Sequence, residues 1–528
     1  MNKINRVILC IIDDVSSEYF FSLINNGFLP NFKKLMIGGT FSKNCITDFP
    51  AITFPAQVST ITGTYTGDYR SEYCHGVPMY EWMDRSYSPP ILRSYGTYGS
   101  EKRIQIYNIN EDMGDRCKTL IEMIDEGNSV SIPQFINRGT NFFFPERKPK
   151  LILYYLFIKY YPRIKEMMVR ANTIIIKKLL KTFENPENFF ELKEPPIVSL
   201  LWFVTSDLLM HVFGYDSLLY KLNLRHIDKV IGFLIKELDK VGYLNDTLIA
   251  ITSDHGNYKT NKIGSLDTFF KKNCLTQFHP RKNPKGNMDL AEFGGLGFFY
   301  FKENNPYSNK IWRHPKIETL RNYGQKKVNL FQELFRIEGT ELMYYRDYDN
   351  SIDKGRIFLK RKKQNNEGFI TGFIEYEGNS KNLKTKYMVE EHVEKDIFGY
   401  LHDERAIKLM DNKYHTIDEW LEATYHLDFP LYPDLLVRHF KNPRSSDIII
   451  STEGRIAYNI KHGRRTSNNY YLHDIGLRKC SVVPLIISGS DEIPNGEIEY
   501  CKITDIVPTL LNMLGKNPHE SVIGRSLI

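Results

Sequence analysis

Residues 247–256 read Thr-Leu-Ile-Ala-Ile-Thr-Ser-Asp-His-Gly. A short run without a charged residue, rich in β-branched side chains, ends abruptly on an adjacent carboxylate and imidazole, Asp254 and His255. Such a run, with no alternation of apolar and charged positions, is the pattern of a strand buried on both faces. The same arrangement recurs. Val7–Ile12 runs into Asp13, and Ile197–Thr205 is followed by Asp207. Val482–Ser488 reads as a fourth such strand and Asp447–Ser451 as a fifth, with helical periodicity between several of them, for example Leu222–Val241. Strands alternating with helices predict an α/β fold, a doubly wound, mostly parallel sheet with helices on both faces. In such sheets ligands bind beyond the carboxyl ends of the strands, where Asp13, Asp207 and Asp254 stand.

The remaining composition narrows the class. A chain of 528 residues exceeds the size at which a single core stops growing. Net charge is only +7, from 70 basic and 63 acidic residues spread along the chain, so no dedicated nucleic-acid binding is expected, while a substrate that is itself anionic fits equally well. Seven widely spaced cysteines without a CxxC pair predict reduced thiols and a cytoplasmic setting. Val7–Ile12 is too short for a signal sequence. The greasiest stretch, Leu151–Ile158, falls far short of the roughly 20 apolar residues of a membrane span. The surrounding 148–182 segment reads as a helical cap with a buried face, or as an amphipathic helix pair touching a membrane or partner. Nothing in the sequence speaks to oligomeric state.

The chemistry-bearing residues are Asp13, Asp207, His211, Asp254, His255 and His473. Carboxylates mixed with imidazoles suit a borderline ion such as zinc, with manganese an alternative, and six such groups suffice for two divalent ions. Asp207 and His211 are four apart, so a helical turn points both the same way. Paired metals are a recurring device for cleaving phosphate esters. Upstream, Phe49-Pro50-Ala51-Ile52-Thr53-Phe54-Pro55 precedes a helical pattern, Ala56 to Thr62, closed by Gly63. A hydroxyl and a proline mark a helix start, where Thr53 is either a plain cap or a nucleophile beside N–H groups that receive a phosphate.

Thr53-Phe54-Pro55, then Val58-Ser59-Thr60-Ile61-Thr62-Gly63 and His75-Gly76, resemble the type I phosphodiesterase/nucleotide pyrophosphatase family of the alkaline phosphatase superfamily. The similarity continues through Pro30-Asn31-Phe32, Asp207 to Gly214, Ser253-Asp254-His255-Gly256, Val483 to Gly489 and Thr504 to Thr509. The resemblance implies an alkaline-phosphatase-like core in three parts (1–85, 196–299 and 441–528). Insertions at 86–195 and 300–440, the second mixed α/β, would build a cap.

It further implies one ion held by Asp207, His211 and His473, and another by Asp13, Asp254 and His255 with the Thr53 hydroxyl. Thr53 would attack phosphorus in line, and water would hydrolyse the resulting phospho-threonine. His473 competes with His462 for the last ligand position and is favoured by its closeness to the Val482–Ser488 strand. Two positions depart from the family. Asp14 stands where a glycine is usual, and Val77–Trp82 holds no asparagine to donate to the phosphate, leaving Tyr80 or a backbone N–H for that role. Diester or pyrophosphate bonds are the expected targets. A phosphomonoesterase or phosphoglycerate-mutase-type phosphotransferase, and an inactive relative that binds phospho-ligands or partners, are the alternatives.

Overall fold

The computed structural model describes residues 4–95, 106–146, 163–292, 294–303, 312–348, 353–363, 368–390, 395–458 and 469–528. Leu151–Ile158 and His462 lie outside the described residues. At the centre stands a mixed sheet. Its middle strand, Arg6–Ile12, pairs in parallel with Val198–Phe203 on one side and Thr247–Thr252 on the other. Beyond Val198–Phe203 lie Ser129–Ile132 and Phe142–Phe143, both parallel. Beyond Thr247–Thr252 come Val482–Ser488 and Thr40–Ile46.

Alternate residues of each central strand face opposite layers. Val7, Leu9 and Ile11 enter one apolar cluster with Leu200, Trp202 and Ala250. Ile8, Cys10 and Ile12 enter another, with the Ile164–Glu184 and Leu218–Lys240 helices. Burial on both sides explains why these strands carry no polar face. Val482–Ser488 corrects the sequence reading in one respect: it runs antiparallel to both of its neighbours. Strand direction leaves no trace in a run buried on both faces, because each residue sees apolar surface whichever way the chain travels.

A second, wholly antiparallel sheet stands beside the first. Its order is Met288–Glu292, Leu296–Phe301, Ile448–Ser451, Leu342–Arg346, Lys354–Lys362, Phe369–Glu377, Lys384–Val389 and His415–Thr416. Ile448–Ser451, expected as a fifth core strand, is therefore a central strand of this second sheet. It too is buried on both faces, Ile449 in the cluster shared with the first sheet and Ile448 and Ile450 in a third cluster. Apolar content identified a buried strand but not which of two sheets would bury it. The Ile164–Glu184 helix accounts for the described part of the 148–182 segment and buries one face, including Ile175, Ile176 and Leu179. Among the described residues no helix is long and apolar enough to cross a membrane.

Candidate metal centre

The carboxyl ends of the three central parallel strands converge on one point. Asp13 follows Arg6–Ile12 directly, and Asp254 and His255 follow Thr247–Thr252. After Val198–Phe203 the chain turns at once into the Thr205–Phe213 helix, whose first turn carries Asp207 and whose last carries His211. Thr53 is the first residue of the Thr53–Thr62 helix, which ends at Gly63 in the left-handed region that favours glycine. His473 follows the short strand Tyr470–Leu472. The Ser253–Gly256 loop passes so close to the chain at Lys479 that a side chain at Gly256 would meet the Lys479 carbonyl at 2.4 Å. Glycine there is a steric requirement.

All six predicted ligands and the hydroxyl are brought together. Asp13, Asp254 and His255 form one group with ligand atoms within 4.8 Å of one another, and Asp207, His255 and His473 form another. His255 Nε2 lies 3.1 Å from Thr53 Oγ1 and 3.5 Å from Asp13 Oδ1. Asp207 Oδ1 faces His211 Nε2 at 3.1 Å and His473 Nε2 at 3.6 Å. His255 thus stands between the two groups, where the family pattern assigns it to one. Tyr80 stacks its ring on Phe54, the residue after Thr53, with centroids 5.6 Å apart.

The electrostatics are those of a site short of positive charge. Burial, then the charges of Asp254, Asp207 and Asp14, pushes the Asp13 carboxyl well above the usual range. Burial acts against a charged His211 and a charged His255, yet Asp207 lifts the first and Asp254 with Asp14 the second, each to about 9. Burial would raise Asp207, but His211, His473 and His255 outweigh it and hold that carboxyl low. His473, desolvated and facing His255, is held well below an ordinary histidine. Asp13 Oδ1 and Asp207 Oδ1, the oxygens facing the imidazoles, are buried without a hydrogen-bond partner. Buried carboxylate oxygens are ordinarily paired. Oxygens left open and opposed by imidazole nitrogens fit a divalent cation.

The site also holds residues to which the sequence reading gave no role. Trp202 Nε1 donates to Asp13 Oδ2 at 3.0 Å, and Gln57 Nε2 donates to Asp254 Oδ2 at 2.7 Å. Gln57 had a signal, since four residues after Thr53 it shares that helix face. Asp14, with φ of 58°, sits on the far side of His255, its Oδ1 3.8 Å from Nδ1 and accepting from Asn257 Nδ2 at 2.8 Å. Behind His473, the Asp474 carboxylate accepts from Leu296 N at 2.7 Å and from the Tyr258 hydroxyl at 2.9 Å. The second sheet thereby braces the segment that carries His473.

This convergence agrees with the family comparison. The model of the Type I phosphodiesterase / nucleotide pyrophosphatase family matches residues 7–315. The chain belongs to that family. As a type I phosphodiesterase/nucleotide pyrophosphatase relative it is a phosphoric ester hydrolase, and its Asp/His groups suit divalent metal. Comparison with curated proteins returns no match. Among solved structures it is similar to murine ectonucleotide pyrophosphatase / phosphodiesterase 5, at 12% identity and a TM-score of 0.53, covering 97% of this chain and 96% of that one. The inactive murine form in complex with AMP gives the same figures. The human protein matches at 15% identity and a TM-score of 0.51, over 97% and 95% of the two chains. At these identities the likeness establishes an alkaline-phosphatase-like fold.

Proposed function

We propose that this family member is a metal-dependent hydrolase of phosphodiester or pyrophosphate bonds that acts through a phospho-threonine on Thr53. The observation that carries the reading is the position of Thr53 Oγ1, 3.1 Å from His255 Nε2 and at the first residue of a helix. The opening N–H groups of a helix lack intrahelical partners and attract a phosphate. Asp13, Asp254 and His255 would hold one ion beside Thr53, and Asp207, His211 and His473 the other. Divalent ions bound there lower the pKa of the threonine hydroxyl and offset charge on the phosphoryl oxygens. Zinc suits the mixed oxygen and nitrogen donors best, and manganese can occupy the same ligands.

The residues divide the work. Thr53 Oγ1 attacks phosphorus and gives its proton to solvent as the new P–O bond forms, while the bond to the leaving-group oxygen breaks and that oxygen takes a proton from water. Water then attacks the phospho-threonine, releasing phosphate or a phosphomonoester and restoring the hydroxyl. His255, whose Nε2 faces Thr53 Oγ1, would place the hydroxyl beside the ion that it helps to hold, and Tyr80, stacked on Phe54, is assigned to substrate contact in place of the missing asparagine. The AMP bound by the murine structure supports a nucleotide-like substrate. The insertion at 86–195, which also supplies the Ser129–Ile132 and Phe142–Phe143 strands of the central sheet, and the insertion at 300–440 would select the leaving group. A reducing, cytoplasmic setting accords with seven cysteines that are all free, six of them buried.

The deciding experiment measures the metal content of the purified protein and its turnover of bis-p-nitrophenyl phosphate against p-nitrophenyl phosphate. Two ions per chain and faster diester turnover are expected. A strong monoester preference would overturn the diesterase assignment, and a protein that binds no metal would overturn the mechanism.

A further inference from the structure

We infer that Gln57 and Gln134 form a positioning relay that holds the Asp254 carboxylate in its ligating orientation. The inference rests on the metal reading above. Both glutamines are buried, Gln57 completely. Gln57 Nε2 donates to Asp254 Oδ2 at 2.7 Å, Gln134 Nε2 donates to Gln57 Oε1 at 2.9 Å, and Ile136 N donates to Gln134 Oε1 at 3.1 Å.

The direction of this chain is set by its far end. A glutamine side chain is nearly symmetric and can present either its oxygen or its NH2 to a neighbour. The Ile136 backbone N–H can only donate, so Gln134 must turn its oxygen toward it and its NH2 toward Gln57. Gln57 must then accept through Oε1, which leaves its own NH2 for Asp254. The backbone donor at residue 136 thereby fixes an amide at residue 57, on the helix that carries Thr53. Were Gln57 flipped, its carbonyl oxygen would face the Asp254 carboxylate and repel it.

The other oxygen of Asp254 is held by the chain itself, Oδ1 accepting from Asp14 N at 3.1 Å and His255 N at 2.9 Å. With Gln57 on Oδ2, rotation of the carboxylate is blocked from both sides. The residue type also matters. An amide donates without bringing positive charge, so Asp254 keeps its full negative charge for a cation, whereas lysine or arginine at position 57 would neutralise it. Gln57 and Gln134 touch neither Thr53 Oγ nor substrate and act through Asp254.

The test is a double-mutant cycle on Zn2+ affinity, read by competition with a chromophoric chelator. The variants are Gln57→Met, Gln134→Met and the pair, which remove the amides at nearly constant length. Groups that orient metal ligands typically contribute about 10–100-fold in affinity. We expect Gln57→Met to weaken one of the two ions by that factor and leave the other unchanged. Gln134→Met should weaken the same ion by less, and the double variant should be no weaker than Gln57→Met alone, because Gln134 works only through Gln57. Wild-type affinity in Gln57→Met, or fully additive single effects, overturns the relay. If Gln57→Met does not fold, Gln134→Met, one step removed from the ligand, decides alone: undiminished affinity overturns the relay. A wild-type protein that takes no zinc overturns the metal reading itself, an outcome separate from wild-type binding that the variants leave untouched.

Discussion

His255 and His473 lie face to face, with ring centroids 3.8 Å apart and 14° between their planes. They come from loops far apart in sequence, and each belongs to a different half of the family's ligand set. The stack makes one imidazole wall of two half-sites, and Asp207 Oδ1 reaches His473 across it. Two imidazolium rings at this separation would repel, and burial together with the neighbouring His255 keeps the His473 imidazole neutral. A neutral imidazole is the form that ligates a metal.

The first prediction concerns the last ligand. His473→Ala should lower metal content from two ions per chain to one, while His462→Ala leaves both in place. Elemental analysis of the purified variants reads the difference. The opposite pattern would transfer the role to His462.

Thr53→Ala should reduce turnover of bis-p-nitrophenyl phosphate by about 10³-fold or more, as loss of a nucleophile does. It should keep both ions and change stability little. Thr53 is the first helical residue behind Ile52, and that helix start shows no side-chain cap to lose. Labelled phosphate trapped on the wild-type protein by rapid acid quench, and absent from the variant, checks the intermediate.

Removing the ions should abolish turnover and lower the melting temperature by a few degrees. An ion at about 100 times its dissociation constant stabilises the folded state by about 2.7 kcal/mol. Dialysis against a chelator, followed by calorimetry and stepwise return of Zn2+ or Mn2+, measures both effects. Full activity after exhaustive chelation would refute the assignment.

His439 should contribute an acid-sensitive arm of stability. It is wholly buried among the rings of Phe49, Phe298 and Phe440, and burial pushes its imidazole down to about 3. An unfolded histidine titrates near 6.5, so between about pH 6.5 and 3 the unfolded chain binds the extra proton. Stability is therefore intact above about pH 6.5 and falls as the pH drops, with a slope of at most about 1.4 kcal/mol per pH unit from this group. In urea titrations at pH 7 and pH 5, His439→Phe should show a smaller loss than wild type.

Asp447→Asn should destabilise by about 3–5 kcal/mol, the usual result of breaking a buried ion pair from one side. Asp447 accepts from Arg85 at 2.5 Å and from Phe301 N at 2.7 Å, and its Oδ1 lies 2.8 Å from His314 Nδ1. It joins the end of the Glu81–Asp84 strand to the start of Ile448–Ser451, a central strand of the second sheet. Denaturant unfolding of the variant gives the value directly. A change below 1 kcal/mol would show that solvent or rearrangement compensates.

The ligand set was legible because each member ends a charge-free run or stands at a fixed offset from one, and burial on both faces leaves that pattern in the text. Thr53 was legible through the proline and hydroxyl of a helix start. Gln57 showed only its offset from Thr53, Asp14 only its departure from the family's glycine, and Trp202 nothing, because each acts through a hydrogen bond or close approach to a residue at least 189 positions away. A neutral amide or an indole carries no sign of such a partner.

The sequence by itself determined the α/β class, the candidate nucleophile and the six metal-ligand candidates, since local pattern and residue chemistry are written in order along the chain. Only the tertiary structure decided that Val482–Ser488 runs against its neighbours, that Ile448–Ser451 belongs to the second sheet, and that His255 faces both ligand groups. The physical reason is common to all three. Burial depends on how much apolar surface a segment carries, whereas direction, sheet membership and side-chain juxtaposition depend on which distant surface covers it.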